Sequence, residues 1–311
     1  AQTPPEPTQN VIVLEQEPPA AAYTQSSPVE EIRRQMTYEQ AQKLLKEKDQ
    51  TQLLRFYHEL DDAGKQHLLA GIGKIDWSFE EVLKHPEDLS GKGRDIRPIE
   101  GMERKEIEYR MAEFKAAGIR AIKEGKVAAV LLAGGQGTRL GVEGPKGAYD
   151  IGVTRHLSIF EQQMRNLLDV IGECGAYVPL YIMTSEKNRD ETETFWKAHD
   201  YFGYPETEVK FFIQDMAPAV DFNGKIYLES KDMPALSPNG NGGWFSSLRR
   251  SGLCSELHKR GIEWINIYAV DNVLQRIADP VFVGATILSG VNCGAKVVLK
   301  ACPEERVGVL C

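Results

Sequence analysis

The sequence predicts an α/β fold, a doubly wound, mostly parallel sheet preceded by a helical N-terminal region. Residues 127–133 (VAAVLLA) form an unbroken apolar run rich in Val and Leu, the mark of a short strand buried on both faces and hence of a parallel sheet. A second buried run, YVPLYIMTS at 177–185, follows a helix-period segment and begins a β-α-β-α alternation. A glycine-rich turn stands directly after the first run, at the carboxyl end of its strand, where this architecture binds ligands.

Composition fits a soluble globular chain. The 311 residues are 42% apolar and 26% charged, enough for one large or two modest domains. A net charge of −8, with no Lys/Arg cluster, argues against a nucleic-acid partner. The five cysteines are odd in number and widely spread, with no C-x-x-C pair, so neither a disulfide framework nor a zinc site is expected. There is no secretion or transit signal and no apolar run long enough to span a membrane, so the expected location is cytoplasmic, with no membrane partner. Nothing in the sequence fixes an oligomeric state.

Residues 1–28 are rich in Pro, Ala, Gln, Thr and Ser and are expected to be a disordered tail, apart from a short apolar patch at 11–14. Residues 29–125 read as helices. Thr37-Tyr-Glu-Gln is a capping-box signature; Ala41, Leu44 and Leu45, then Leu53, Leu54, Tyr57 and Leu60, keep helical spacing in two successive helices. Further short helices are expected at 63–72 and 78–83, then a polar connector at 91–101 and a charged helix at 102–124. The block shows no catalytic constellation and is expected to be a helical cap on the sheet. Residues 126–311 carry the sheet: a helix at 158–169, the strand at 177–185, a helix at 188–198 capped by Asn188, a strand at 210–213 ending at Gln214, a tight loop at 237–243, a helix at 244–260 and a strand at 264–270. Residues 305–311 look like the start of one more strand.

The chemistry concentrates in residues 127–146, VAAVLLAGGQGTRLGVEGPK. Gly134, Gly135 and Gly137 let the backbone expose successive N–H groups beside Thr138, a cup suited to phosphate. Arg139, with its planar donor fork, and Lys146, a mobile point charge after Pro145, add two cations at its rim. Neither the P-loop pattern nor G-x-G-x-x-G is present, because Leu140 stands where the third glycine of the latter would be.

What remains, L-x-x-G-x-G-T-x-L-x-x-x-x-P-K from Leu132 to Lys146, resembles the signature of the sugar-nucleotide pyrophosphorylases. FFIQDMAPA from Phe211, NGNGG from Asn239, NIYAVDNVL from Asn266 and Ala278-Asp-Pro resemble further segments of the UDP-N-acetylhexosamine pyrophosphorylase branch, in the same order, from about Met102 onward. The resemblance implies a Rossmann-like nucleotidyltransferase domain over 126–311 that joins UTP and N-acetylglucosamine 1-phosphate, releasing pyrophosphate. It implies that Ala133, Gly134 and Gln214 hold uracil, Gly240 lies against the nucleoside, Asn241 contacts the N-acetyl group, Arg139 and Lys146 face the triphosphate, and Asp271 holds Mg²⁺. It also implies more strands, a second metal carboxylate, a phosphate-binding lysine and a small domain beyond residue 311, so the chain reads as incomplete at its C-terminus and its own activity stays open.

The residues alone leave alternatives. Gln214 offers two donors and an acceptor, which suits an imide edge but also plain loop solvation. Asp271 follows a strand, where a site is built, but a carboxylate there could equally cap a helix starting at Val273. The glycine loop reads phosphate rather than sugar, so glucose 1-phosphate or galactose 1-phosphate would fit the same scaffold. A non-catalytic nucleotide-binding module is the alternative from another class.

Overall fold

The computed structural model describes residues 9–13, 36–75, 77, 79–80, 101–135, 141, 144–152 and 154–307. The strands are β1 (Gln9–Val13), β2 (Gly101–Met102), β3 (Val127–Leu132), β4 (Leu180–Thr184), β5 (Val209–Ile213), β6 (Met216–Pro218), β7 (Leu228–Ser230), β8 (Met233–Pro234), β9 (Leu236–Pro238), β10 (Trp264–Ala269) and β11 (Gly294–Val298). The α-helices are α1 (Tyr38–Glu47), α2 (Asp62–Gly73), α3 (Arg104–Lys123), α4 (Ile159–Cys174), α5 (Arg189–Ala198), α6 (Trp244–Arg250), α7 (Leu253–Lys259) and α8 (Pro280–Leu288). They fall into two compact units, residues 1–24, 95–212 and 253–311 in the first and 25–94 and 213–252 in the second.

The first unit is the expected α/β fold. Its main sheet has the order β10-β3-β4-β5, and β3 pairs in parallel with both β10 and β4. Every residue of β3 and β4 is buried, which is why both read as continuous apolar runs. The chain proceeds from β3 through β4 to β5 on one side and then returns to place β10 on the other. The strand order therefore reverses between β3 and β10, which makes their carboxyl ends a topological switch point. Leu132 and Ala269, the last residues of the two strands, are level in the register.

The core of this unit joins the sheet to α3, α4 and α8 through residues such as Ile122, Phe160, Leu167, Val130's neighbours Ala129 and Leu131, Tyr268 and Val283. Helix α4 begins where expected, with Ser158 Oγ accepting from Glu161 N, but runs to Cys174, where Gly175 ends it in the left-handed conformation at φ +67°. Helices α3 and α8 touch backbone to backbone. A Cβ at Gly118 would lie 1.9 Å from Pro280 O, and one at Gly284 would lie 1.8 Å from Phe114 O. Next to α5, Asp200, Tyr201 and Phe202 take positive φ in succession, at 48°, 48° and 57°. A non-glycine residue pays roughly 1–2 kcal/mol for that conformation, and here the turn is held by Phe202 edge-on to Trp196, a side chain with no exposed surface.

Several sequence expectations are corrected. Gln9–Val13, within the tail expected to be disordered, form the middle strand of a small antiparallel sheet, β11-β1-β2. The expected helical cap is divided, since α3 belongs to the first unit and α1 and α2 to the second. In the second unit, Leu45, Leu53, Leu68 and Ile72 build a core with Ile226, and Val220, Leu228 and Leu236 pack against it. Buried Gln50 ties this unit together, donating to Gly224 O at 2.7 Å and accepting from Ile226 N at 2.9 Å. The capping box at Thr37 forms as read, but the second helix is replaced by 3₁₀ turns at Thr51–Leu54 and Tyr57–Glu59. The helix expected at 244–260 is broken into α6 and α7 at Gly252, whose φ is +78°. Glu305–Val307 are not in a strand; the rest of that expected strand, and much of the helix at 78–83, lie outside the described residues.

The helix contact gives a stability prediction. Gly118→Ala or Gly284→Ala drives a methyl into backbone with no flexible side chain to yield, and each should cost more than about 2 kcal/mol in denaturant unfolding. Gly172→Ala, at an exposed position of α4 with open space around it, should instead stabilise by roughly 0.5–1 kcal/mol.

Candidate functional site

The glycine turn leaves β3 at its carboxyl end. Ala133 N donates to Met183 O at 2.8 Å, continuing the pairing with β4 for one more residue. Exposure then rises from buried Ala133 to exposed Gly135. Asn188 Nδ2 donates to Ala133 O at 3.0 Å and Gly135 O at 3.2 Å, and Gly135 O also accepts from Lys146 N at 3.4 Å. Gly137, Thr138 and Arg139 lie outside the described residues. Asn188 does precede α5 as expected, but its side chain makes no capping bond and is spent on the turn instead.

Lys146 opens a short 3₁₀ turn, Lys146–Ala148, that lies against the ring of Phe160 on α4. A Cβ at Gly147 would lie 2.1 Å from that ring, so the close approach depends on the glycine. This seat aims Lys146 at the end of β10. Its Nζ lies 2.5 Å from Asp271 Oδ1, with Asp271 the more exposed partner, 64% against 26%. An ion pair this open to solvent contributes little to stability, so its significance lies in placement: a cation and an anion side by side at the switch point, reached from β3 and from β10.

The Asp271 loop is held by amides of α4. Gln163, buried at 1% exposure, donates through Nε2 to Ala269 O, Val270 O and Asn272 O at 3.2, 3.2 and 3.3 Å. Asn166 Nδ2 donates to Val273 O and Gln275 O, both at 3.1 Å. Val270 N donates to Leu132 O at 3.1 Å, which ties the loop back to β3. Residues 271–278 are turns and irregular chain, and no helix starts at Val273, so Asp271 caps no helix there and its carboxylate is presented to solvent and to Lys146. Among the described residues no cluster of three or more His, Cys, Asp or Glu is arranged to hold a metal ion.

The second unit carries the other candidates. Gln214 is buried and donates through Nε2 to Gly240 O at 2.7 Å. Gly240 has φ +79°, which a side chain would strain, and opens the 3₁₀ turn Asn241–Gly243 that leads into α6; Asn241 is exposed there. Asp215, which sequence reasoning did not single out, organises this loop. Its carbonyl accepts from Asn239 N at 2.9 Å, its N–H donates to Ser247 Oγ at 2.9 Å, and its carboxylate meets Arg250 at 2.9 Å. Its place beside Gln214, just before the Gly/Asn-rich loop, is the one sequence signal that could have pointed to it.

A parallel sheet whose switch point bears a glycine turn is a doubly wound α/β fold of the kind that binds ligands at its strand ends, and the solved structures it resembles are nucleotidyltransferase-type pyrophosphorylases. The chain belongs to the UTP–glucose-1-phosphate uridylyltransferase family, whose model matches residues 79–311. It is 39% identical over 284 residues to human UDP-N-acetylhexosamine pyrophosphorylase-like protein 1, covering 84% of this chain and 55% of that protein. It is 36% identical over 289 residues to the Saccharomyces cerevisiae UDP-N-acetylglucosamine pyrophosphorylase, covering 85% and 59%. Among solved structures it resembles the uridine diphosphate N-acetylglucosamine pyrophosphorylase of Trypanosoma brucei, with a TM-score of 0.67, 30% identity, and coverage of 80% of this chain and 54% of that one. The chain thus spans about half the length of the curated relatives it matches.

Gln163 provides a test of how the Asp271 loop is built. Gln163→Glu places a carboxylate against three carbonyl oxygens, so its folded pKa must rise above the ordinary Glu value of about 4.3. The charged form, which donates nothing, is penalised more than the neutral form, which keeps one O–H donor. The destabilisation relative to wild type, several kcal/mol at pH 8, should therefore shrink as pH falls through the raised pKa, whereas Gln163→Met should show a loss of about 1–3 kcal/mol that does not change with pH in denaturant titrations.

Proposed function

We propose that this chain carries the nucleotide- and phosphate-handling part of a uridylyltransferase that forms a UDP-sugar and pyrophosphate from UTP and a sugar 1-phosphate, N-acetylglucosamine 1-phosphate being the favoured sugar. The observation that carries the proposal is the Lys146–Asp271 pair at the switch point, joined through Gly135 O to the glycine turn. Membership of the family supports the reaction class, and the names of the relatives support the N-acetylated sugar.

The reaction is a single in-line displacement. An oxygen of the sugar 1-phosphate forms a bond to the α-phosphorus of UTP, the bond from that phosphorus to the bridging oxygen breaks, and pyrophosphate leaves with the electron pair. The attacking oxygen is ionised at neutral pH, so no general base is needed, and the protein supplies position and charge. In this reading the N–H groups of the turn at Gly134, Gly135, Gly137 and Thr138 and the cations of Lys146 and Arg139 hold the triphosphate. Ala133 and Gln214 hold the base, Gly240 lies against the nucleoside, and Asn241 contacts the sugar. Asp271 suits Mg²⁺, which takes one or two carboxylates and completes its shell with water and substrate phosphates, so one exposed carboxylate fits it without a preformed cage. Bound there, the ion would neutralise phosphate charge. Lys146 would hold the carboxylate in place until substrate arrives. The cytoplasm is the proposed location; among the described residues no helix is long and apolar enough to cross a membrane.

The test is pyrophosphate release with UTP and Mg²⁺, with N-acetylglucosamine 1-phosphate, N-acetylgalactosamine 1-phosphate and glucose 1-phosphate compared, alongside equilibrium binding of UTP. Preferential release with an N-acetylated sugar supports the proposal. Preference for glucose 1-phosphate keeps the mechanism and overturns the sugar assignment, while UTP binding without release leaves a binding module. Lys146→Ala and Arg139→Ala should each lower kcat by about a hundredfold or more, with smaller effects on KM. A kcat unchanged in either variant removes that residue from the mechanism.

A further inference from the structure

We infer that Asn188 is a positioning residue for nucleotide binding, which orients the first peptides of the glycine turn from behind; the inference rests on the proposal that the turn holds UTP. Asn188 has no exposed surface, and its amide is fully engaged. The two hydrogens on Nδ2 go to Ala133 O and Gly135 O, while Oδ1 accepts from Ser185 N at 2.8 Å and Ser185 Oγ at 3.0 Å. The residue itself is anchored at the start of α5, where its carbonyl accepts from Thr192 N at 2.9 Å and Thr192 Oγ1 at 2.6 Å.

The effect on the turn follows from peptide geometry. In a trans peptide the C=O and the next N–H point in opposite directions. Drawing Ala133 O towards Asn188 therefore turns the Gly134 N–H the other way. It also points the negative ends of two peptide dipoles, at residues 133 and 135, at a side chain instead of leaving them to face an anionic ligand. A helix cap needs only an acceptor, which Ser, Thr or Asp supplies equally well. Two carbonyls need a two-hydrogen donor, and no capping bond forms here. Gly135 O is shared with Lys146 N, so the same amide also fixes the segment that delivers Lys146 to Asp271.

The test uses Asn188→Ala and Asn188→Asp, with UTP dissociation constants measured at equilibrium and amide hydrogen exchange followed over residues 133–135. Tyr204→Phe serves as a destabilised control, because it removes a buried hydroxyl that donates to Val178 O at 2.6 Å, beside the opposite end of β4. Both Asn188 variants should bind UTP at least tenfold more weakly and exchange faster at 133–135. For Asn188→Asp the loss should be at least as large as for Asn188→Ala, because an ionised carboxylate donates to neither carbonyl and sets a negative charge against both. Tyr204→Phe should lose thermal stability and keep the wild-type dissociation constant. If neither Asn188 variant folds, Ser185→Ala decides: it loosens the amide without removing it, and should weaken UTP binding two- to fivefold. Wild-type binding with undiminished affinity in the folded variants overturns this inference alone. A wild-type chain that binds no UTP overturns the nucleotide reading, and this inference with it.

Discussion

The candidate site of the first unit depends on one constraint, the parallel registration of β10 against β3. Because Trp264 is level with Val127 and Ala269 with Leu132, two strands separated by more than a hundred residues of chain end at the same height. Whatever follows them must share a rim. The glycine turn follows one and Asp271 the other, and Lys146 is folded back between them by its turn on Phe160. A slip of the pairing by two residues would keep the buried faces buried yet move Asp271 by about 6–7 Å, out of reach of Lys146.

Around that rim the protein uses neutral amides where charged groups would be costly. Asn188, Gln163 and Asn166 all donate to main-chain carbonyls of loops that come from elsewhere in the sequence. A buried lysine or arginine could donate to the same oxygens but would carry a desolvation penalty and an unbalanced charge close to the Lys146–Asp271 pair. The amides shape the loops without altering the local charge, which is left to the residues that face solvent. This division between orienting and charge-bearing side chains is what lets the turn be both rigidly seated and electrostatically open.

Much of the architecture was legible in the sequence because buried parallel strands and capped amphipathic helices leave local patterns. The continuous apolar runs of β3 and β4, the Thr37 capping box and the Ser158 cap are all short-range signals. Elements specified by tertiary contact were not legible. Helix α8 is apolar all round, PVFVGATIL, so it shows no period; strands of two or three residues show none either. The left-handed turn at Asp200–Phe202 lacks the glycines that would announce it and is held by packing against Trp196. In the site, Lys146 and Asp271 could be named from motif resemblance, while Asn188 could be placed before a helix but not assigned its partners. Its bonds reach 53 and 55 residues back along the chain, and no local rule encodes them.

The glycine contact between α3 and α8 bears on how such a chain can drift in sequence. At 118 and 284 the space for a side chain is occupied by main chain, which no compensating substitution can shorten. Core positions elsewhere can trade volume with their neighbours; these two have nothing to trade with. Their demand is also independent of chemistry, because neither glycine lies in the glycine turn or beside Asp271. A descendant that exchanged Lys146 and Asp271 for other residues would still need both glycines to close its fold. The small-residue pair on these two helices is therefore a demand of the fold alone, set by main-chain contact and not by what the switch point binds.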